Sequence, residues 1–296
     1  MGKKKMFDLE KSVQQTECVI RKYLPKEEGY QKTIFKAMNY AVNGGGKRLR
    51  PILMLKTFEG FGGTGEVIEP FMAAIEMIHT YSLVHDDLPA LDNDEYRRGR
   101  KTTHVVYGHA MGILAGDALL NYAFETAMKA FELDDLDVVR RAFEILVKKP
   151  GVYGMIGGQV VDVEKSGTAM DKDELEFVFR CKTAALIEAA MMIGAILGGA
   201  SKEEQRKVEQ IARNIGIAFQ IQDDILDVTS TTSELGKPVH SDERNQKTTY
   251  VTLYGMERAR QDVITYSNNA IEEIKTLQGH HEELISLVSL MINRKK

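Results

Sequence analysis

The stretch Val67–Asp92, VIEPFMAAIEMIHTYSLVHDDLPALD, decides how the rest of this chain is read. From Val67 to Leu88 it is apolar nearly all round, which marks a central buried helix rather than a surface one. Counted in fours, Phe71, Ile75, His79, Leu83 and Asp87 share one line. Ala74, Ile78, Ser82 and Asp86 share the next. The run therefore ends with acids on core-facing stripes, where a carboxylate is costly to bury unless a cation pairs with it.

A second stretch has the same build. Ile211, Ile215, Phe219, Asp223 and Asp227 are successive four-residue steps, so Asp223-Asp224-Ile225-Leu226-Asp227 also closes an inward stripe. A lone acidic pair is most often a solvated helix end. Two clusters on two inward stripes point instead to an oxygen-rich cavity that holds hard cations such as Mg²⁺ between two helices. Asp223 and Asp227, at i and i+4, share a face. Asp86 and Asp92 are six apart, about 120° on a regular helix. They converge only if the helix ends between them, and Pro89 supplies the break, so a distortion is expected at Leu88–Leu91.

Outward from these stretches, helical periodicity dominates. Val208, Ile211, Ile215 and Phe219 fall on one face, as do Leu175, Val178, Phe179, Leu186 and Ala189, and Met256, Ala259, Val263, Tyr266 and Ala270 repeat the pattern. Strand signals are weak, with no Asn-Gly or Asp-Gly hairpin turn. Breaks are expected at Asn43–Gly46, Gly60–Gly65, Gly99, Gly167 to Asp171 and Thr229–Pro238. The reading is an all-α chain of roughly ten helices around one core. With 6 Pro and no Ser/Gly-rich run, residues 1–296 are expected to form one domain.

Composition narrows the function. A net charge of -4 argues against nucleic acid as the main partner. Cys18 and Cys181 have no CxxC spacing, which fits a reducing cytoplasm and excludes a cysteine zinc site. Met1–Phe7 carries charge with no apolar stretch behind it, so no signal peptide is expected. No apolar run reaches the roughly 20 residues of a bilayer span.

Cationic groups accompany the acids. Gly44-Gly45-Gly46-Lys47-Arg48-Leu49-Arg50 frees backbone amides next to Lys47 and Arg50, but lacks the distal glycine and Ser/Thr of a Walker A loop. Arg97 and Arg98 follow the first acids. Lys182 sits on the apolar stripe between Phe179 and Leu186, where a lysine either snorkels out or serves a buried anion. Lys237 lies in a Gly/Pro loop. His79 on a core stripe is most often a satisfied core histidine, though its donor can reach a phosphate. These residues suggest two anions. One is held through metals by the acids, with Arg97, Lys182 and Lys237; the other is held directly by Lys47, Arg50, His79 and Arg98. A diphosphate carries about three negative charges, so acidic residues bind it only through metal ions.

In order, Gly45–Pro51, the Asp86–Asp92 segment running into Arg97-Arg98-Gly99, Gly157-Gly158-Gln159 with Asp162, Lys182-Thr183 and Phe219–Asp227 resemble the motifs of trans-prenyltransferases, the polyprenyl diphosphate synthases. The resemblance covers nearly the whole chain. The two-residue expansion of the first aspartate motif is similar to the bacterial farnesyl diphosphate synthase subgroup, shared with some geranylgeranyl enzymes. It implies an isoprenoid synthase fold around a central cavity, a cytoplasmic homodimer and three Mg²⁺ ions. It implies that Asp86, Asp92 and Asp223 hold an allylic diphosphate through Mg²⁺, assisted by Arg97, Lys182 and Lys237. Isopentenyl diphosphate would bind Lys47, Arg50, His79 and Arg98. Thr183 and Gln220 would stabilise an allylic cation, and Tyr81 with Ser82 would limit the product to C15 rather than C20. On an ideal helix Tyr81 lies about 140° from Asp86 and not beneath it. His240 stands where related sequences usually have Gly, which bears on closure of the Lys237 loop. Three other readings compete. A class I terpene cyclase needs no second anion site. An HD-type phosphohydrolase, suggested by His85-Asp86, needs further histidines. A helical scaffold leaves the buried acids unexplained.

Overall fold

A computed structural model describes residues 7–230 and 247–292. Lys237 and His240 lie outside the described residues. The chain runs through α1 (Leu9–Lys22), α2 (Lys32–Val42), α3 (Leu49–Gly60) and α4 (Ile68–Asp86) into a two-stranded hairpin, β1 (Tyr96–Arg97) and β2 (Arg100–Lys101). Then come α5 (Thr103–Tyr107), α6 (His109–Met128), α7 (Leu136–Lys148), α8 (Met155–Glu164) and α9 (Lys172–Val178). A π-helical segment (Phe179–Ala184) joins α9 to α10 (Ala185–Leu197). The long α11 (Lys202–Thr229) is followed by α12 (Tyr250–Tyr254), α13 (Met256–Ile274) and α14 (Glu282–Ile292). Among the described residues the α-helices exceed the expected ten, and two of them, α5 and α12, are single turns set off by positive-φ glycines, Gly108 and Gly255.

The centre is α4, as its composition demands. Phe71 to Ile78 are buried without interruption, and α6 packs along the helix with α1, α2, α3 and α10 around it. A second apolar cluster joins α3, α10, α11, α13 and α14 through Ile52, Leu53, Met191, Ile211, Ile274 and Leu287. A third lies between α9, α11 and α13. The long α11 starts on a capping box, in which Ser201 and Glu204 satisfy each other's backbone N–H groups.

The expected distortion after α4 is present. The Asp92 N–H donates to Asp86 O at 2.9 Å, and the Leu91 and Asn93 N–H groups fold back on Leu88 O at 2.9 and 3.1 Å. Pro89 ends the helix and the chain turns back on itself, so the two acids converge. The hairpin was not foreseen. Its two central residues, Arg98 and Gly99, have φ of 53° and 73°, as a tight hairpin turn requires, but arginine in place of Asn or Asp hides the signal.

Candidate active site

A cavity of about 1120 Å³ opens between α4, the hairpin, α8, the π segment and α11. Every described site residue expected from the sequence lines it: Lys47, Arg50, His79, Tyr81, Ser82, Asp86, Asp92, Arg97, Arg98, Lys182, Thr183, Gln220 and Asp223.

The paired aspartates divide their tasks. In the first pair Asp86 faces the cavity, with Gln159 Nε2 donating to its Oδ1 at 2.6 Å. Asp87 turns away and takes Arg97, whose Nε and Nη2 lie 2.8 and 2.6 Å from one carboxylate oxygen. Arg97 thus lines the cavity with its charge already compensated by Asp87. In the second pair Asp224 is buried and accepts from Gln220 Nε2 at 3.0 Å and from the Tyr250 N–H at 2.7 Å. It fixes the wall, while Asp223 and Asp227 complete the acidic lining. Burial raises the Asp86 carboxyl above its usual range even though Lys182 opposes it. A cation is what such a group wants.

The arrangement suits magnesium held jointly with a phosphate ligand. Among the described residues no three His, Cys, Asp or Glu groups form a ready-made metal cage. Mg²⁺ is ordinarily bound by one or two carboxylates together with waters and substrate phosphates. Carboxylates set on separate walls of one cavity fit that habit.

The π segment explains Lys182. A π turn carries one more residue than a regular turn, so it rotates the side chains that follow. Phe179, Cys181 and Ala184 stay buried, while Lys182 reaches the cavity and Nζ lies 2.6 Å from Asp162 Oδ2. Thr183 Oγ1 donates to Gln220 Oε1 at 2.7 Å, continuing through Gln220 to Asp224. Two glycines clamp the segment. A Cβ on Gly158 of α8 would run into the Lys182 backbone nitrogen, and one on Gly216 of α11 into Ala184.

Across the cavity is a basic corner. Arg48, buried and in the left-handed region, donates to Glu76 at 2.6 Å and Val42 O at 2.7 Å. Arg50 points into the cavity with its buried Nε unpartnered. The Arg98 guanidinium donates to Gly45 O and lies where a Cβ on Gly46 would be. Burial lowers the His79 imidazole well below its usual value of 6.5, helped by Arg50, Arg98, Arg97 and Arg48. His79 is therefore neutral at pH 7, a hydrogen-bonding group and not a charge. Its folded value is depressed, so the unfolded chain takes the proton first as pH falls below about 6.5, and stability drops there. A His79→Gln variant is expected to show a flatter Tm between pH 7 and 5 than the parent; an identical slope in thermal melts would contradict this.

At the apolar end, Tyr81 is buried with its hydroxyl unpartnered, and burial pushes it up to about 12. Its ring meets the His85 ring edge-on at 5.9 Å. Leu120, Met155, Ile156 and Val160 line the cavity with it. Tyr81 and Asp86 line one cavity in spite of their angular separation on α4. Ser82 is turned to the backbone, donating to His79 O at 2.9 Å. The His85 ring nitrogen lies 3.1 Å from Ile113 O, and His79 sits among arginines, so the two histidines do not share a ligand geometry.

Three groups at the site had no assigned role in the sequence reading: Gln159 and Lys247 line the cavity, and Asp162 pairs with Lys182. Gln159 and Asp162 are three apart on α8, a spacing that puts both on one face. Lys247 lies 3.4 Å from Asp92 and 3.6 Å from Asp162. Nothing in the stretch around it, Asn245-Gln246-Lys247-Thr248, signals that position.

The sequence profile described as Polyprenyl synthetase matches residues 31–288. The chain belongs to the polyprenyl synthetase family. Its fold is the all-α isoprenoid synthase fold, and it is a trans-prenyl diphosphate synthase. It is 44% identical over 290 residues to the farnesyl diphosphate synthase of Geobacillus stearothermophilus, covering 97% of this chain and 96% of that one. It is also 40% identical over 279 residues to the geranylgeranyl diphosphate synthase of Cyanophora paradoxa, covering 94% and 92%. The crystal structure of a Helicobacter pylori geranyltransferase complexed with magnesium and isoprenyl diphosphate superimposes with a TM-score of 0.86 at 30% identity, covering 99% of this chain and 98% of that one. Among the described residues no helix of this polyprenyl synthetase is long and apolar enough to cross a membrane.

Proposed function

We propose that this chain joins isopentenyl diphosphate to an allylic diphosphate, dimethylallyl and then geranyl, and releases farnesyl diphosphate. The observation that carries the reading is two unlike anion sites in one cavity. One has carboxylates on separate walls with Lys182 and Lys247; the other has Arg50, His79 and Arg98.

Asp86, Asp92 and Asp223 hold Mg²⁺, three ions in all, which neutralises the allylic diphosphate as a leaving group when bound. Lys182, Lys237 and Lys247 take its remaining oxygens, with Arg97 held beside them by Asp87. The allylic C–O bond breaks and the diphosphate leaves with the electron pair. Thr183 and Gln220 turn oxygen dipoles to the cation, and the apolar wall keeps water from it. Lys47, Arg50, His79 and Arg98 hold isopentenyl diphosphate so that its double bond attacks the cation. A proton then passes to the departing diphosphate and an alkene is restored.

Tyr81 supports the farnesyl product. A buried aromatic at the apolar end of the cavity is a floor against which a C15 tail stops. The test is incubation of the chain with isopentenyl diphosphate, geranyl diphosphate and Mg²⁺, followed by product-length analysis. C15 as the main product supports the proposal, C20 supports a geranylgeranyl synthase, and phosphate release without elongation supports a hydrolase. In Tyr81→Ala, C20 and longer products are expected to replace at least half of the C15. Unchanged C15 output would remove Tyr81 from the floor.

The remaining properties extend the same reading: one domain, residence in the cytoplasm, and a homodimer. For the dimer, Ile113 and Leu114 on α6 are about half exposed and offer an apolar face for a second copy.

A further inference from the structure

Four charges alternate in sign at one side of the cavity: Lys182, Lys247 and Asp92 line it, and Asp162 stands behind the two lysines as their partner. Lys182 Nζ lies 2.6 Å from Asp162 Oδ2, and Lys247 Nζ lies 3.6 Å from the same oxygen and 3.4 Å from Asp92 Oδ1. They come from four separate parts of the chain: the π segment, α8, the residues before α12, and the turn after α4. The side chains of Asp162 and Lys247 are 11% and 18% exposed, so their attraction is screened less than at a surface. Burial pushes the Asp162 carboxyl up, and the two lysines more than offset it, leaving it below the usual carboxylate range. Asp162 is therefore a shared counter-ion and not one more acid on the wall.

This arrangement bears on the order in which charges can enter. The lysines are cations suited to diphosphate, yet each faces a carboxylate, and a bare diphosphate would meet the acids as well. We infer that Asp162, with Asp92, is a positioning residue that keeps Lys182 and Lys247 from binding diphosphate until a divalent cation engages the acidic wall. This rests on the reading of the cavity as a metal–diphosphate site. With a cation on Asp92, Lys247 loses that partner and its ammonium turns to the diphosphate oxygens. Without one, the lysines remain latched. The latch thus prevents a metal-free diphosphate from occupying the site in a form that cannot ionise.

The experiment is calorimetric titration of the full chain with inorganic diphosphate in EDTA, and again with Mg²⁺. Asp162→Asn keeps the shape and removes the charge. Its metal-free affinity for diphosphate is expected to rise about tenfold, while its gain on adding Mg²⁺ shrinks. A purely structural role predicts the reverse, weaker binding in both conditions, and that result in a folded Asp162→Asn variant would overturn the latch. Lys247→Gln gives a second reading without touching Asp162. With the ammonium removed from Asp92, Mn²⁺ alone is expected to bind severalfold more tightly, read by the loss of its free-ion spin-resonance signal. Unchanged Mn²⁺ affinity would also defeat the inference. The two readings separate through the parent chain. If it shows no Mg²⁺-dependent diphosphate binding, the proposed function itself fails. If it binds and elongates while both variants behave as the parent, only the latch fails.

Discussion

Asp86→Asn is expected to lower kcat by about a thousandfold with Mg²⁺ while leaving the fold intact. The amide oxygen still accepts from Gln159 Nε2, so the contact between α4 and α8 survives. What is lost is one negative charge, directed into a cavity where a buried carboxylate calls for a cation. The neighbouring Asp87→Asn should fail in another way. Asp87 is tied to Arg97 in a half-buried pair, and losing that charge leaves the guanidinium beside the cavity without its counter-ion. A drop in Tm of several degrees is expected there, with a smaller loss in kcat. Steady-state kinetics and thermal melts on both variants check the contrast. If the two neighbours lose the same activity and the same stability, the division of labour within each aspartate pair is wrong.

That division was only half legible in the sequence. Four-residue counting put both Asp86 and Asp87 on inward stripes, and the structure buries Asp87 and turns Asp86 to the cavity. The stripes show which way a side chain leaves its helix, but not whether cavity or core lies there. The all-α class, the central helix and the break at Pro89 were readable because each is local: apolar composition, and a residue that cannot donate to the helical ladder. The convergence of Asp92 on Asp86 followed from that break and is closed by one backbone hydrogen bond. What escaped is what depends on distant partners. Lys247 is 155 residues from Asp92, and no short-range pattern joins them. The hairpin at Arg98-Gly99 escaped for a chemical reason, since its first turn residue is one that seldom takes a positive φ. The π segment escaped because Phe179-Arg180-Cys181-Lys182 reads as ordinary helix, and only Gly158 and Gly216 on other helices show how closely it is packed.

Gly158 carries the second large prediction. By local propensity alone Gly158→Ala ought to help, because alanine is favoured over glycine by about 1 kcal/mol inside a helix. The tertiary contact reverses that sign. A methyl group at 158 meets the Lys182 backbone nitrogen and the Cys181 backbone and side chain, and Gly216 blocks retreat on the far side through Ala184. The π segment must therefore shift or unwind. Lys182 then leaves Asp162, and Thr183 leaves Gln220. A loss of about a hundredfold in kcat/KM for the allylic substrate is expected, with a lower Tm; a displacement of about 1 Å in a catalytic constellation has an effect of that order. The KM for isopentenyl diphosphate should hardly move, since Arg50, His79 and Arg98 are carried by α3, α4 and the hairpin. That asymmetry between the two substrates distinguishes a displaced wall from a generally weakened fold. A Gly158→Ala chain that melts higher than the parent and keeps both constants would show that α8 and the π segment separate freely, and that Lys182 is not placed by their contact.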